Sequence, residues 1–175
     1  MEFRRAVEAD INRIMEIIEQ AKFSLKAKGI DQWQNGYPNP DIIRSDIENN
    51  YGYVLVNDKK IIATVAVSFE GEKTYEKIYN GNWTADVEYA VVHRLAVDNE
   101  YKGRGIASVL LSNIEKLCLN NGIYSIRVDT HEDNIPMQSL LKKNNFIYCG
   151  IIYLEDKSKR LAYEKVLIDR KSGQV

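Results

Sequence analysis

The stretch from Val87 to Gly122 constrains the fold more than any other part of the chain. A mostly apolar run from Val87 to Val97, interrupted by His93 and Arg94, gives way to a polar, glycine-bearing turn from Asp98 to Gly105. Ile106, Val109, Leu110, Ile114 and Leu117 then make one apolar stripe at helical spacing. Ala107, Leu111 and Cys118 widen the stripe, and Gly122 supplies a stop. Strand, glycine turn and amphipathic helix in that order predict a strand–helix unit within a sheet-containing domain.

The flanking sequence supplies partners for that unit. Phe3 to Val7 reads as a short strand, and Asp10 is expected to cap a first helix carrying Ile11, Ile14, Met15, Ile18, Ala21 and Leu25 inward. Gly29 to Pro40 has loop composition, and Asp41 to Asn49 reads as a second short helix. Tyr51 to Asn57 and Ile61 to Phe69 read as a hairpin around Asp58-Lys59-Lys60, and Glu70 to Asp86 as an insertion holding Tyr75, Tyr79 and Trp83. Further on, Ile123 to Thr130 is a strand, Asn134 and Pro136 open a helix, and Phe146 to Tyr153 and Arg160 to Val166 are closing strands. The expected organisation is one domain over residues 1–168 and a polar tail over 169–175.

Charge and cysteine usage narrow the function classes. Lys plus Arg number 24 against 25 Asp plus Glu, so no global field draws the chain to nucleic acid or to an acidic membrane, and any anion site must be local. Cys118 and Cys149 show neither disulfide nor metal-ligand spacing and read as packed thiols; no metal is expected. No apolar run approaches membrane-spanning length, and a cytoplasmic location is the expectation.

The turn Lys102-Gly103-Arg104-Gly105-Ile106-Ala107 lies where a helix begins, and there backbone N–H groups and the helix dipole favour an anion. Glycine lets backbone approach a phosphate closely, and Lys102 and Arg104 add charge. A nucleotide-triphosphatase loop is excluded, because no Gly-Lys-Ser/Thr follows at the required spacing. Gly103-x-Gly105-x-x-Ser108 approaches a dinucleotide fingerprint, but Ser108 replaces the third glycine and too little chain follows for the rest of a doubly wound sheet.

Lys102-x-x-Gly105-x-Ala107 resembles the central motif of the GNAT N-acetyltransferases, Gln/Arg-x-x-Gly-x-Gly/Ala. Asn134 to Phe146 is similar to a second segment of that family, Asn-x-x-Ala-x-x-Leu-Tyr-x-x-x-Gly-Phe, with Met137, Leu141 and Asn145 as departures. Asp31-Gln32-Trp33 to Tyr37-Pro38, and Val92 to Val97, look like a group of bacterial members. The resemblance implies an α/β (α+β) fold, with a mixed, mostly antiparallel central sheet of six to seven strands flanked by about four helices. It also implies acetyl-coenzyme A lying between two splayed parallel strands, its pantetheine arm on Leu95, Ala96 and Val97 and its pyrophosphate on Lys102, Gly103, Arg104, Gly105, Ile106 and Ala107. Asn134 and Lys143 would be further coenzyme contacts.

An amine attacks a thioester only when unprotonated, and alkylamines titrate near ~10.4, so a base is useful at neutral pH. His93 is the first candidate and Glu88 the second. Strand alternation puts His93 on the face of Val91 and Leu95 and turns Arg94 the other way, as an ion-pair partner, unless a bulge intervenes. The family would supply a backbone N–H near Leu95 or Ala96 to stabilise the oxyanion. Many relatives carry a tyrosine acid where this chain has Leu141, which leaves Tyr148 and Tyr153 on the next strand as candidates. Trp33, Tyr37, Tyr75, Tyr79 and Trp83 fall in the two irregular segments expected to hold a cationic acceptor, with Asp31, Asp86 or Glu88 as its charge partner. The expected reaction is acetyl transfer to a small amine, an amino acid or a peptide N-terminus; the alternative is a non-catalytic acyl-coenzyme A sensor. The loop aromatics leave a homodimer open.

Overall fold

Among the described residues, each α-helix closes on a residue with positive φ. In the computed structural model, which describes residues 1–167, the helices are α1 (Ile11–Ala27), α2 (Pro40–Glu48), α3 (Ile106–Asn120) and α4 (Ile135–Lys143). Gly29, Asn50, Gly122 and Asn145 follow them with φ of 69°, 61°, 71° and 65°. In each case the next amide reaches back to a carbonyl in the last turn. Ile30 donates to Leu25, Tyr51 to Asp46, Ile123 to Cys118 and Phe146 to Leu141, at 2.7–3.0 Å. These are Schellman caps, and glycine or asparagine stands where the left-handed conformation is needed. Asn145, a departure from the family's glycine, is explained by the tolerance of asparagine for that conformation.

Seven strands accompany the helices: β1 (Glu2–Arg5), β2 (Gly52–Asn57), β3 (Lys60–Ser68), β4 (Ala90–Val97), β5 (Ser125–Thr130), β6 (Ile147–Tyr153) and β7 (Lys159–Val166). Hydrogen bonds order them β1-β2-β3-β4-β5-β7-β6. The β4/β5 pair is parallel, through Ala90 with Ile126 and Val91 with Arg127, whereas β1/β2, β2/β3, β5/β7 and β6/β7 are antiparallel. A mixed sheet with four helices is the fold class that the family resemblance implied. The expected tail at 169–175 lies outside the described residues.

The chain divides into two compact units, one of Met1–Val67 with His93–Leu110 and one of Ser68–Val92 with Leu111–Val175. In the first, Ile11, Ile14, Ile17 and Ile18 of α1 pack with Ile43 of α2 and with Val54, Ile61 and Ala96 of the strands. Ile17 and Ile18 are fully buried, so each contributes roughly 1.5–3 kcal/mol of transfer free energy. Asp10 does not cap α1 as the sequence suggests: its side chain accepts no capping bond from that helix. Instead it accepts the Val7 amide at 2.9 Å and two bonds from Arg4 at 2.7 and 3.1 Å. Arg4 holds the Asp10 carboxyl below its ordinary pKa.

In the second unit Tyr75, Val91, Ile152 and Ala162 form a buried cluster with Trp83 and Tyr89 packed against it. The insertion after β3 joins β6 through reciprocal Tyr79–Ile151 backbone bonds, both 2.8 Å, and so covers part of a strand that would otherwise be a bare sheet edge. Gly150, at φ 146°, leaves room for this: a Cβ there would lie 2.6 Å from the Tyr79 carbonyl oxygen. Val87 to Tyr89 is not strand, contrary to the expectation from its apolar residues. Just before it, the amides of Thr84 and Ala85 donate to the buried Glu164, and the Ala85 carbonyl accepts from Arg127, so side chains rather than a ladder satisfy this backbone. Among the described residues no helix is long and apolar enough to cross a membrane.

Candidate active site

The end of β4 and the glycine turn belong to the first unit. Asp98, only 2% exposed, anchors the turn: its amide donates to Ile62 O at 2.9 Å, its carboxylate accepts the Glu100 amide at 2.9 Å, and Arg13 pairs with it. Gly103 and Gly105 have φ of 75° and 78°, and a Cβ at either would meet no atom within 4 Å. Backbone freedom, not crowding within the chain, is what requires glycine there. The α3 ladder begins with the Val109 amide on Gly105 O, 3.1 Å. The amides of Ile106 and Ala107 precede that bond at the positive end of the helix.

The turn is locally cationic although the chain is nearly neutral. Lys102, with Nζ 3.4 Å from Ser24 Oγ, has its pKa lowered by burial and then by the nearby Lys28 charge. The guanidinium of Arg104 lies 5.7 Å from the Tyr101 ring centre. Like charges gathered beside open glycine backbone suit a polyanion, which relieves their repulsion. The phosphate-bearing coenzyme expected from the motif fits this donor set.

One residue breaks the regularity of β4. Arg94 has φ 55°, and burial no longer alternates around it: Val91 and Val92 are both buried on one side, Ala96 and Val97 on the other, with His93, Arg94 and Leu95 half-buried between. The face expected for His93 from a period of two therefore does not extend past Arg94. Arg94 itself is an ion-pair partner, donating from Nε and Nη2 to Asp46 at 2.8 and 2.6 Å and from Nη1 to the Tyr37 hydroxyl. Burial raises the Asp46 pKa, while Arg94 and, further down, His93 pull it back. Trp33, with φ 64°, packs against the α1 core, and the preceding Asp31 is exposed.

The second unit holds the other candidates. Glu88 and Asp86 are exposed in the irregular segment before β4. Asn134 is the N-cap of α4, accepting the Met137 amide at 3.3 Å, and Lys143 is exposed in the last turn of that helix. Leu141 is fully buried, so it is a core side chain and not a site lining. Tyr148 and Tyr153 are 46% and 44% exposed, edge-on to Tyr163 and Tyr79 at ring-centre distances of 5.7 and 5.2 Å. Tyr153 and Tyr79 also line a shallow cleft with Lys73, Thr74, Lys77, Leu154 and Glu155.

One expected acceptor contact is corrected by burial. Tyr75 is 1% exposed and donates its hydroxyl to Asp129 at 2.6 Å; its pKa is raised by burial and by that carboxylate. Trp83 donates from Nε1 to Tyr75 O at 2.8 Å, with its ring facing the Arg127 guanidinium. These aromatics anchor their own segment because its backbone needs a packed, polar-satisfied support. Arg127, Glu164 and Asp46 were not anticipated as organising residues. For Arg127 and Glu164 the available signal was a charged residue inside the apolar runs of β5 and β7.

Residues 12–146 match the family model described as "Acetyltransferase (GNAT) family". The chain belongs to the GNAT acetyltransferases. The crystal structure of a GNAT-family acetyltransferase from Streptococcus agalactiae 2603 is 36% identical to this GNAT chain with a TM-score of 0.88, over 96% of each chain. S-alkylcysteine N-acetyltransferase of Bacillus subtilis (strain 168) is 27% identical over 119 residues, 68% of this chain and 61% of that protein. Streptothricin acetyltransferase of Escherichia coli is 22% identical over 129 residues, 74% of this chain and 64% of that protein. The GNAT chain thus aligns with somewhat under two thirds of each curated relative's length. Family membership supports acyl transfer as the general chemistry of this chain.

Proposed function

We propose that this GNAT chain transfers an acetyl group from acetyl-coenzyme A to a primary amine by direct attack. The observation that carries the reading is the turn of residues 102–107, where two glycines at positive φ leave open space before the first helical amides and beside Lys102 and Arg104. The pyrophosphate would rest there, and the backbone of Leu95, Ala96 and Val97 would hold the pantetheine amides as a strand does. When bound, the coenzyme supplies an acyl group already activated as a thioester.

The chain's own residues have three tasks. His93, half-buried on β4, would take the proton from the attacking ammonium directly or through one water, and Glu88 is the next base. The N–H of Leu95 or Ala96 would meet the charge that develops on the acyl oxygen. A thiolate titrates near ~8.5, so it leaves with little help at neutral pH, and Leu141 in the usual tyrosine position is compatible with turnover. An amine acceptor is supported by the name of the Bacillus subtilis relative, which specifies a nitrogen of an S-alkylated cysteine. Tyr37, Tyr79, Trp33 and Trp83 are the acceptor contacts kept from the expected set, because Tyr37 and Tyr79 remain 38% exposed and both tryptophans half-buried.

Thiol release from acetyl-coenzyme A, measured across small amines, amino acids and peptide N-termini, tests the proposal. Saturable release with at least one amine, with the acetylated amine found by mass spectrometry, is expected. Release only by water across the whole panel would overturn it.

A further inference from the structure

A non-glycine residue at positive φ inside a strand persists only where its surroundings over-determine it. Arg94, at φ 55° in the middle of β4, is held at three points. Its guanidinium grips both oxygens of Asp46, at 2.8 and 2.6 Å, and its remaining terminal nitrogen donates to the Tyr37 hydroxyl. Asp46 is in turn immobile: it is 7% exposed, and its carbonyl accepts the Tyr51 amide at 2.7 Å in the cap of α2. Tyr51 O accepts the Val67 amide at 2.8 Å, which ties that cap to β3. All of these residues lie in one compact unit.

A buried ion pair kept only for stability has no need of a strained backbone, and an apolar pair of similar volume often serves as well. What the left-handed residue does change is direction. It turns the peptide planes on either side of itself, so strand alternation no longer sets the directions of the His93 side chain and of the Leu95 and Ala96 amides. We infer that Asp46 and Arg94 are positioning residues for acyl transfer, with Asp46 holding Arg94 at the positive φ that aims the Leu95 and Ala96 amides and His93. The inference rests on the acetyl-transfer proposal for what those groups do, but the clamp itself can be measured without turnover.

The variants are Asp46→Asn, which sets an amide N–H against the guanidinium, Asp46→Glu, which keeps the charge, and Tyr37→Phe. Three readouts are taken on folded protein: the HN–Hα coupling of residue 94 with the Leu95 and Ala96 amide shifts, coenzyme A affinity by calorimetry, and kcat with acceptor KM. In Asp46→Asn the coupling should move to that of extended backbone and kcat should fall at least about tenfold. One misplaced oxyanion donor costs ~10²–10³ in other enzymes. Coenzyme A affinity should fall by a smaller factor than kcat, because the phosphate turn at residues 102–107 is untouched, and Asp46→Glu should recover part of kcat. Unchanged coupling and kcat in folded Asp46→Asn, or a kcat loss matched by an equal loss of coenzyme affinity, would overturn the inference. If Asp46→Asn does not fold, Tyr37→Phe carries the same readouts, with a smaller shift of the same sign expected and no shift overturning. A wild-type protein inactive on every amine defeats the acetyl-transfer proposal alone, since the coupling at residue 94 still decides the clamp.

Discussion

Arg127 donates from Nε to Glu164 at 2.9 Å, and Glu164 is completely buried. The guanidinium lies between two rings, 3.8 Å from the centre of Tyr89 and 4.2 Å from that of Trp83. Glu164 also accepts from Ser125 Oγ at 2.8 Å and from the Thr84 and Ala85 amides. The pair therefore fastens the segment between β3 and β4 to β5 and β7. Removing one partner strands the other charge in a dry layer, so Arg127→Met or Glu164→Gln should each cost about 3–5 kcal/mol. Urea unfolding followed by tryptophan fluorescence measures the loss, and the double variant Arg127→Met with Glu164→Leu should lose less than the two single changes added.

Gly105→Val should fold and bind coenzyme A poorly. A side chain at φ 78° costs about 1–2 kcal/mol of backbone strain, but its Cβ meets no atom of the chain. It would occupy the room a phosphate needs. Calorimetry should show affinity reduced at least about tenfold, the equivalent of one lost charge-assisted hydrogen bond. Unchanged affinity would place the phosphates elsewhere.

His93→Ala should reduce kcat by roughly 10² or more with coenzyme affinity retained, the size expected of a positioned base. A variant that keeps its rate makes Glu88 the next residue to replace.

No single tyrosine should be an essential acid. Tyr148→Phe and Tyr153→Phe keep the ring contacts with Tyr163 and Tyr79, so each isolates the hydroxyl. Single-turnover acetyl transfer from about pH 6 to 9 should change less than about tenfold in either, below the ~10²–10⁴ of a true general acid. A hundredfold loss in one of them, with binding intact, would locate the acid on β6.

Cys118 should make stability fall at alkaline pH. Burial pushes its thiol from 9.0 up to about 12, so the folded state disfavours the thiolate. The contribution is complete below the unfolded pKa of 9.0 and is lost as pH rises towards about 12. Across that window the loss amounts to several kcal/mol, on the order of 1.4 kcal/mol for each pH unit. Unfolding free energies measured at intervals above pH 9 should decline more steeply in the wild type than in Cys118→Ala, and parallel curves would contradict the assignment.

Sequence alone determined whatever depends on neighbours along the chain. The 3.6-residue stripes of α1 and α3, the hairpin of β2 and β3, the helix stop at Gly122 and the cationic glycine turn are all local, because backbone propensity and side-chain period act over a few residues. The motif at Lys102 to Ala107 was legible for the same reason: its chemistry is its own backbone. Tertiary structure decided what depends on residues far apart in sequence. Arg94 enters the left-handed region because Asp46, 48 residues earlier, and Tyr37, 57 residues earlier, hold its guanidinium. Tyr75 and Trp83 turn inward because Asp129 and Arg127 offer a buried hydrogen bond and a cation over the ring. Strand alternation presumes an undisturbed ladder, and loop composition presumes exposure. A buried charge satisfied by a distant partner overrides both, since leaving it unpaired costs more than straining one φ or burying one tyrosine.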